Sequence, residues 1–145
     1  MNKKTISPIE TQLKSIQTLI QAAEFNKATI QGKALQQQIT EPQHHIELWY
    51  LIAIAQRYGK QFTQALSSIN TLLKLDALHS RANQEQGYTH LALNNAKQAK
   101  LSFENAVQLN PSLVGSWQEL IQLYRQDNQQ EKIQKAANHL ERLKK

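Results

Sequence analysis

The sequence predicts an all-α protein made of repeated helical hairpins, and three observations carry that prediction. The 145-residue chain has only 4 glycines and 3 prolines, and it is rich in Gln, Ala, Leu and Lys, which lose little side-chain freedom in a helix. Its prolines, Pro8, Pro42 and Pro111, stand where helices would begin or end. Small and apolar residues recur in one phase with a period of 34, since Trp49 and Trp117 lie two such periods apart. At this length about 68–70% of the unfolded surface can be buried, so one continuous stack is expected.

The elements follow in order. Ser7-Pro8-Ile9-Glu10 combines a hydroxyl cap, a proline at the first helical position and a glutamate three residues after the serine, so the first helix should start there. Phe25-Asn26-Lys27-Ala28 mirrors Phe62-Thr63-Gln64-Ala65 at a spacing of 37, which predicts a degenerate repeat over 8–45 with three extra residues near Gln36 to Pro42. Three gapless repeats follow, over 46–79, 80–113 and 114–145. With the tryptophans at position four, position eight holds Ala53, Gly87 and Ile121, and position twenty holds Ala65, Ala99 and Ile133. Position twenty-four holds Ile69, Phe103 and Ala137, position twenty-seven Leu72, Ala106 and Leu140, and position thirty Leu75, Leu109 and Leu143.

Small residues at positions eight and twenty let the two helices of a hairpin approach closely, and larger ones at twenty-four fill the space between them. Each hairpin keeps an apolar flank that the next one covers, so about eight helices should stack into a right-handed α-solenoid. Leu73 and Val107, at position twenty-eight, should face the following repeat, whereas Glu141 occupies that place in the last. The final helix, with Ile133, Ala136, Ala137, Leu140 and Leu143 on one stripe, is expected to end the stack in water.

In this frame the chain resembles the tetratricopeptide repeat (TPR) family. The middle repeat carries Gly87, Ala99, Phe103, Ala106 and Pro111 at that family's places, and the last carries Trp117, Leu120 and Tyr124. Asn83 and Gln86 stand where the family has Trp and Leu, Ala77 where it has Pro, and Ile133 where it has Ala. The resemblance implies a single TPR-like domain over 1–145 and a protein-interaction scaffold, with a concave face lined by the first helix of each hairpin. Asn110-Pro111-Ser112-Leu113-Val114-Gly115-Ser116-Trp117, followed by Leu120, Leu123-Tyr124, Ala136 and Leu140-Glu141-Arg142-Leu143, also resembles the N-terminal TPR part of bacterial TPR-sulfotransferase proteins. That narrower likeness implies an alternative, a non-catalytic accessory domain of a longer transferase.

On the concave face the expected partner-binding residues are Tyr50, Ile54, Arg57 and Tyr58 in the second repeat. Arg81, Gln84, Tyr88 and Leu91 follow in the third, and Gln118, Gln122 and Arg125 in the fourth. Arginine holds carboxylates in a fork and tyrosine offers broad contact area at low entropy cost, so the expected partner is a protein or peptide of acidic character. The competing reading leaves Tyr58 and Leu91 partly in the core, with the arginines covering apolar surface. Chaperone-binding TPR domains use a Lys/Asn/Arg carboxylate clamp, and the equivalent places here hold Leu13, Gln17, Leu51, Arg81 and Glu85. Only Arg81 fits, so a heat-shock chaperone C-terminus is not expected to bind.

Other functions are excluded on the same ground. No cysteine is present, so no disulfide, thiolate nucleophile or Cys-based metal site can form. The glycines lie too far apart for a phosphate-cradling loop. His44 and His45 are expected to be exposed in a connector without a nearby carboxylate, and His90 to be a hydrogen-bonded core residue. No enzyme activity, cofactor or metal is expected. The formal charge is +6, but the excess sits at 1–14 and 131–145, which describes solvated ends and not a nucleic-acid stripe. Met1-Asn2-Lys3-Lys4-Thr5 leads into Ser7-Pro8 without an apolar run, so no secretory signal is expected and the cytoplasm is the expected location. The longest apolar run, 48–55, is far short of the roughly 20 residues that span a bilayer, and no membrane contact is expected.

Overall fold

The computed structural model describes residues 7–145; Lys3 and Lys4 of the basic N-terminus lie outside the described residues. The helices are α1 (Pro8–Gln21), α2 (Phe25–Leu35), α3 (Pro42–Tyr58), α4 (Phe62–Leu75), α5 (Ser80–Ala92), α6 (Ala96–Leu109), α7 (Val114–Gln126) and α8 (Gln130–Leu143), with a 3-10 turn over Gln36–Gln38. No strand occurs among the described residues. The chain divides into two compact units, Met1–Ala77 and Leu78–Lys145, each holding two hairpins.

The repeat frame shows most plainly in the turns inside the hairpins. Among the described residues, Ala23, Lys60, Asn94 and Asn128 are the non-glycine residues with positive φ, at 60°, 63°, 59° and 55°. They are spaced by 37, 34 and 34 residues, the spacing the sequence predicts. Each closes its helix with the same pair of backbone bonds. The N–H after the left-handed residue reaches five residues back, as from Glu24 to Leu19 and Gln61 to Gln56 at 2.8 Å, and Asn95 to His90 at 2.8 Å. Gln129 to Tyr124 repeats it at 3.0 Å. The three extra residues of the first repeat are the 3-10 turn, after which Ile39 drops into the N-terminal core.

In the N-terminal unit Ser7 caps α1 as expected, its Oγ accepting from the Glu10 N–H at 3.1 Å. Leu13 and Ile16 of α1 pack with Ala28 and Leu35 of α2 and with Leu48, Ile52 and Ala55 of α3. Gly32 lets α2 and α3 meet, because a Cβ there would lie 2.8 Å from Ile52 Cγ1. Helix α3 starts at Pro42, its first residue, so His44 and His45 are not connector residues as expected. Both are half-buried in the first turn of α3. His45 Nε2 donates to the Ile39 carbonyl at 3.1 Å, and His44 Nδ1 stands 3.8 Å from the Glu41 carboxylate.

In the C-terminal unit the small positions act as expected. A Cβ on Gly87 would lie 2.6 to 2.7 Å from three ring carbons of the fully buried Phe103. Ala99, Phe103 and Val107 of α6 form one core with Leu120, Leu123 and Tyr124 of α7, so Val107 does face the following repeat. Trp117 pins the preceding loop by donating from Nε1 to the Pro111 carbonyl at 2.8 Å, and His139 of α8 donates to the same oxygen at 2.9 Å. Buried serines recur at position twenty-three with different partners: Ser68 donates to Gln56 at 2.6 Å and Ser102 to Gln86 at 2.8 Å. These pairs satisfy amide oxygens that would be costly to bury unpaired.

Candidate partner-binding faces

In the N-terminal unit the expected site residues lie along α3. Tyr50, Ile54 and Arg57 are half-buried, while Tyr58, at the helix end, is 53% exposed. The reading of Tyr58 as partly core therefore fails. Its ring instead stacks on Phe25 at the start of α2, centroids 5.8 Å apart and planes 19° from parallel. The Arg57 guanidinium lies 4.4 Å from the Tyr58 centroid, a cation–π contact that fixes both groups. Phe25 is the member of this cluster that the site reasoning missed, although its likeness to Phe62 marks it as a helix-start aromatic.

In the C-terminal unit the expected residues divide into two sets. Arg81 on α5 and Gln118, Gln122 and Arg125 on α7 are exposed. Gln84 and Tyr88 are half-buried and engaged. Gln84 Nε2 donates to Ser116 Oγ at 2.9 Å, and the Tyr88 ring meets Phe103 edge to face, centroids 5.2 Å apart. A Cβ on Gly115 would collide with the Tyr88 hydroxyl, so that glycine opens the space in which α5 and α7 touch. Gln84 and Tyr88 thus join first helices to each other more than they face a partner. Leu91 is half-buried against the same core, as the competing reading has it. The missed residues are Gly115 and the fully buried Ser116; a glycine in the first turn of a helix was the available signal.

Two further expectations change. Glu85, invoked against a chaperone carboxylate, is buried and does not stand on the exposed face of α5. His90 is half-buried, and burial lowers its pKa. Burial, together with the Glu104 carboxylate 2.8 Å away, pushes the Tyr124 phenol well above the usual tyrosine range. The Lys132 ammonium, 3.9 Å from Glu104 and 5.5 Å from the Tyr124 ring centroid, completes that cluster.

Two cavities lie in the C-terminal unit. One of about 310 Å³ lies at Ala96, Lys97, Lys100, Leu123, Gln126 and Asp127, with Lys100 and Asp127 ion-paired at 2.8 Å. A second, of about 230 Å³, lies between α7 and α8, and its lining includes Gln118 of the expected site together with Val114, Ile121 and Leu140. Among the described residues no group of three or more His, Asp or Glu side chains could hold a metal ion. None of the described helices is long and apolar enough to cross a membrane.

No family model matches the chain, and no curated protein matches it. Neither comparison therefore adds support to the likeness with TPR-sulfotransferase proteins. Solved structures do match. MamA superposes with a TM-score of 0.82 at 16% identity, over 94% of this chain and 78% of its own. MamA from Desulfovibrio magneticus RS-1 gives 0.72 at 16% identity, over 93% of this chain and 73% of its own. The Hsp90 co-chaperone Cns1 from Saccharomyces cerevisiae gives 0.75 at 19% identity, over 92% of this chain and 45% of its own. With a co-chaperone among the neighbours, the fold lends no support to excluding a chaperone partner. What MamA and Cns1 share with this chain is architecture, and the fold is that of an all-α, TPR-like helical-repeat protein.

Proposed function

We propose that the chain is a non-catalytic interaction scaffold, and that its first helices capture a protein or peptide of acidic character. The observation that carries this reading is the exposure of Arg81, Gln118, Gln122 and Arg125 together on α5 and α7, whose mutual contact uses Gln84 and Tyr88. Guanidinium groups on two rigid helices present forks to carboxylates, and the glutamines offer amide donors and acceptors between them. In the N-terminal unit the Arg57, Tyr58 and Phe25 cluster gives a second platform, aromatic with a cation at its edge. TPR-like neighbours are consistent with a protein partner, and the cytoplasm is the expected compartment.

The test is Arg81→Glu combined with Arg125→Glu. Both residues are exposed, so the circular dichroism melt should stay unchanged, while the set of proteins captured from lysate should shrink and lose its salt-sensitive members. Identical captured sets from the parent and the double variant would refute this face as the binding surface.

A further inference from the structure

The N-terminal unit holds a cavity of about 180 Å³, with Trp49 and Gln56 of α3 and Ser68 and Thr71 of α4 in its lining and Lys33 of α2 beside them. That lining includes no carboxylate and no residue of the partner-binding faces described above. Gln56 is only 2% exposed. Its Oε1 accepts from Ser68 Oγ at 2.6 Å, whereas among the described residues its Nε2 meets no acceptor. No enclosed side-chain nitrogen or oxygen among the described residues lacks a partner. The Nε2 is therefore not enclosed, and the space that Gln56 lines is this cavity. A buried amide with its donor edge left open needs a partner from outside the chain.

We propose that this cavity binds a neutral polyhydroxylated ring, a single pyranose of a sugar. The donors and acceptors on its wall are mixed, and their protons say which is which. Ser68 spends its proton on Gln56, and Thr71 Oγ1 donates to the Ser67 carbonyl at 3.2 Å. Both oxygens can therefore only accept, while Gln56 Nε2 can only donate. A sugar hydroxyl gives and takes a hydrogen bond at once, so neighbouring hydroxyls of one ring satisfy both kinds of group. An anion would meet the lone pairs of Ser68 and Thr71 with no proton to offer it, and an apolar ligand would leave the Gln56 donor unpaired. Trp49 separates a sugar from water: its indole packs against the N-terminal core and still lines the cavity, giving apolar surface that the C–H face of a pyranose covers.

Size sets the strength. The space matches about six waters at about 30 Å³ each, which one hexose displaces. It is smaller than the roughly 300 Å³ from which sites for drug-sized ligands begin, so one ring enters and the remainder of a longer sugar stays in solvent. Binding should be weak, with a Kd of about 0.5–20 mM.

The experiment is an NMR titration of the 145-residue chain with glucose, galactose, mannose and N-acetylglucosamine, each to about 100 mM, with sodium acetate and phosphate as anion arms. The chain has two tryptophans, and the indole N–H signal of Trp49 is the reporter. Trp117, whose indole bonds to the Pro111 carbonyl in the other unit, is the internal control. At least one sugar should move the Trp49 signal saturably and leave that of Trp117 in place. Gln56→Met should weaken this binding at least about fivefold. Because Gln56 is buried and its replacement can affect folding, Ser67→Phe at an exposed lining position serves as a second probe: it fills the cavity and should abolish binding. Lys33→Gln should change the affinity by less than about twofold, since an exposed cation adds little for a neutral ligand. The proposal is overturned if no sugar moves the Trp49 signal, if both indole signals move together, or if the shift is indifferent to Gln56→Met and Ser67→Phe. A shift caused by the anions and lost in Lys33→Gln overturns it as well. Arg81 and Arg125 are untouched in every arm, so the outcome is separable from the binding-face proposal.

Discussion

Gly87→Ala is the substitution through which the helical-repeat geometry can be weighed most directly. An added methyl would stand 2.6 to 2.7 Å from Cε1, Cδ1 and Cζ of Phe103, where ordinary carbon contacts lie at about 3.5–4.0 Å. Relief requires either a separation of α5 from α6 by roughly 1 Å or a rotation of the ring. The ring is fully buried and is packed edge to face by Tyr88, so neither adjustment is easy. Overpacking of this kind costs about 1–3 kcal/mol, against which alanine recovers up to about 1 kcal/mol of helix propensity. The net expectation is a loss of about 1–2 kcal/mol, or a fall in Tm of about 3–10 °C. Thermal and urea unfolding followed by circular dichroism would measure it. Phe103→Leu should be destabilising alone yet partly rescue Gly87→Ala, giving a coupling energy of about 1 kcal/mol in a double-mutant cycle. A Tm for Gly87→Ala at or above that of the parent chain would show that the close approach of α5 and α6 is not what selects glycine there.

The remaining expectations can be checked on the same material. Lys60→Gly removes the steric cost of a side chain at φ 63°, so it should raise stability by about 0.5–1 kcal/mol, and a lower urea midpoint would contradict the left-handed assignment. The raised Tyr124 pKa predicts an alkaline transition. Folded Tyr124 holds its proton while the unfolded phenol ionises above about pH 10, so this contribution is complete below that pH and is lost as the pH rises towards the folded value. Melts between about pH 8 and pH 12 should show a steeper decline for the parent than for Tyr124→Phe, and equal slopes would remove Tyr124 as the cause.

The fold was legible because close packing leaves few options at particular places. Gly87 facing Phe103, and Ala53, Ala65 and Ala99, all fully buried, mark sites where only small side chains fit, and those sites recur in phase. The 37-residue spacing at Phe25 and Phe62 disclosed the extra turn at Gln36–Gln38 for the same reason. The candidate site was less legible, since side-chain commitments between neighbouring hairpins obey no fixed spacing. Gln84 and Tyr88 sit in phase with Arg81 on α5, but Gly115 and Ser116 of the next hairpin draw them inward. His44 and His45 were misplaced because a frame counted from Trp49 begins the repeat at residue 46, whereas Pro42 starts α3 a full turn earlier.

The turns at Ala23, Lys60, Asn94 and Asn128 carry a consequence for how such a chain can diverge. Their closure is written in main-chain atoms, and three different side chains occupy the same left-handed place without altering it. Substitution at these corners is therefore compatible with the same closure, at a cost set by how well each side chain tolerates the left-handed backbone. A lineage built this way can keep its shape while its surfaces are rewritten, leaving recognition free to change allegiance.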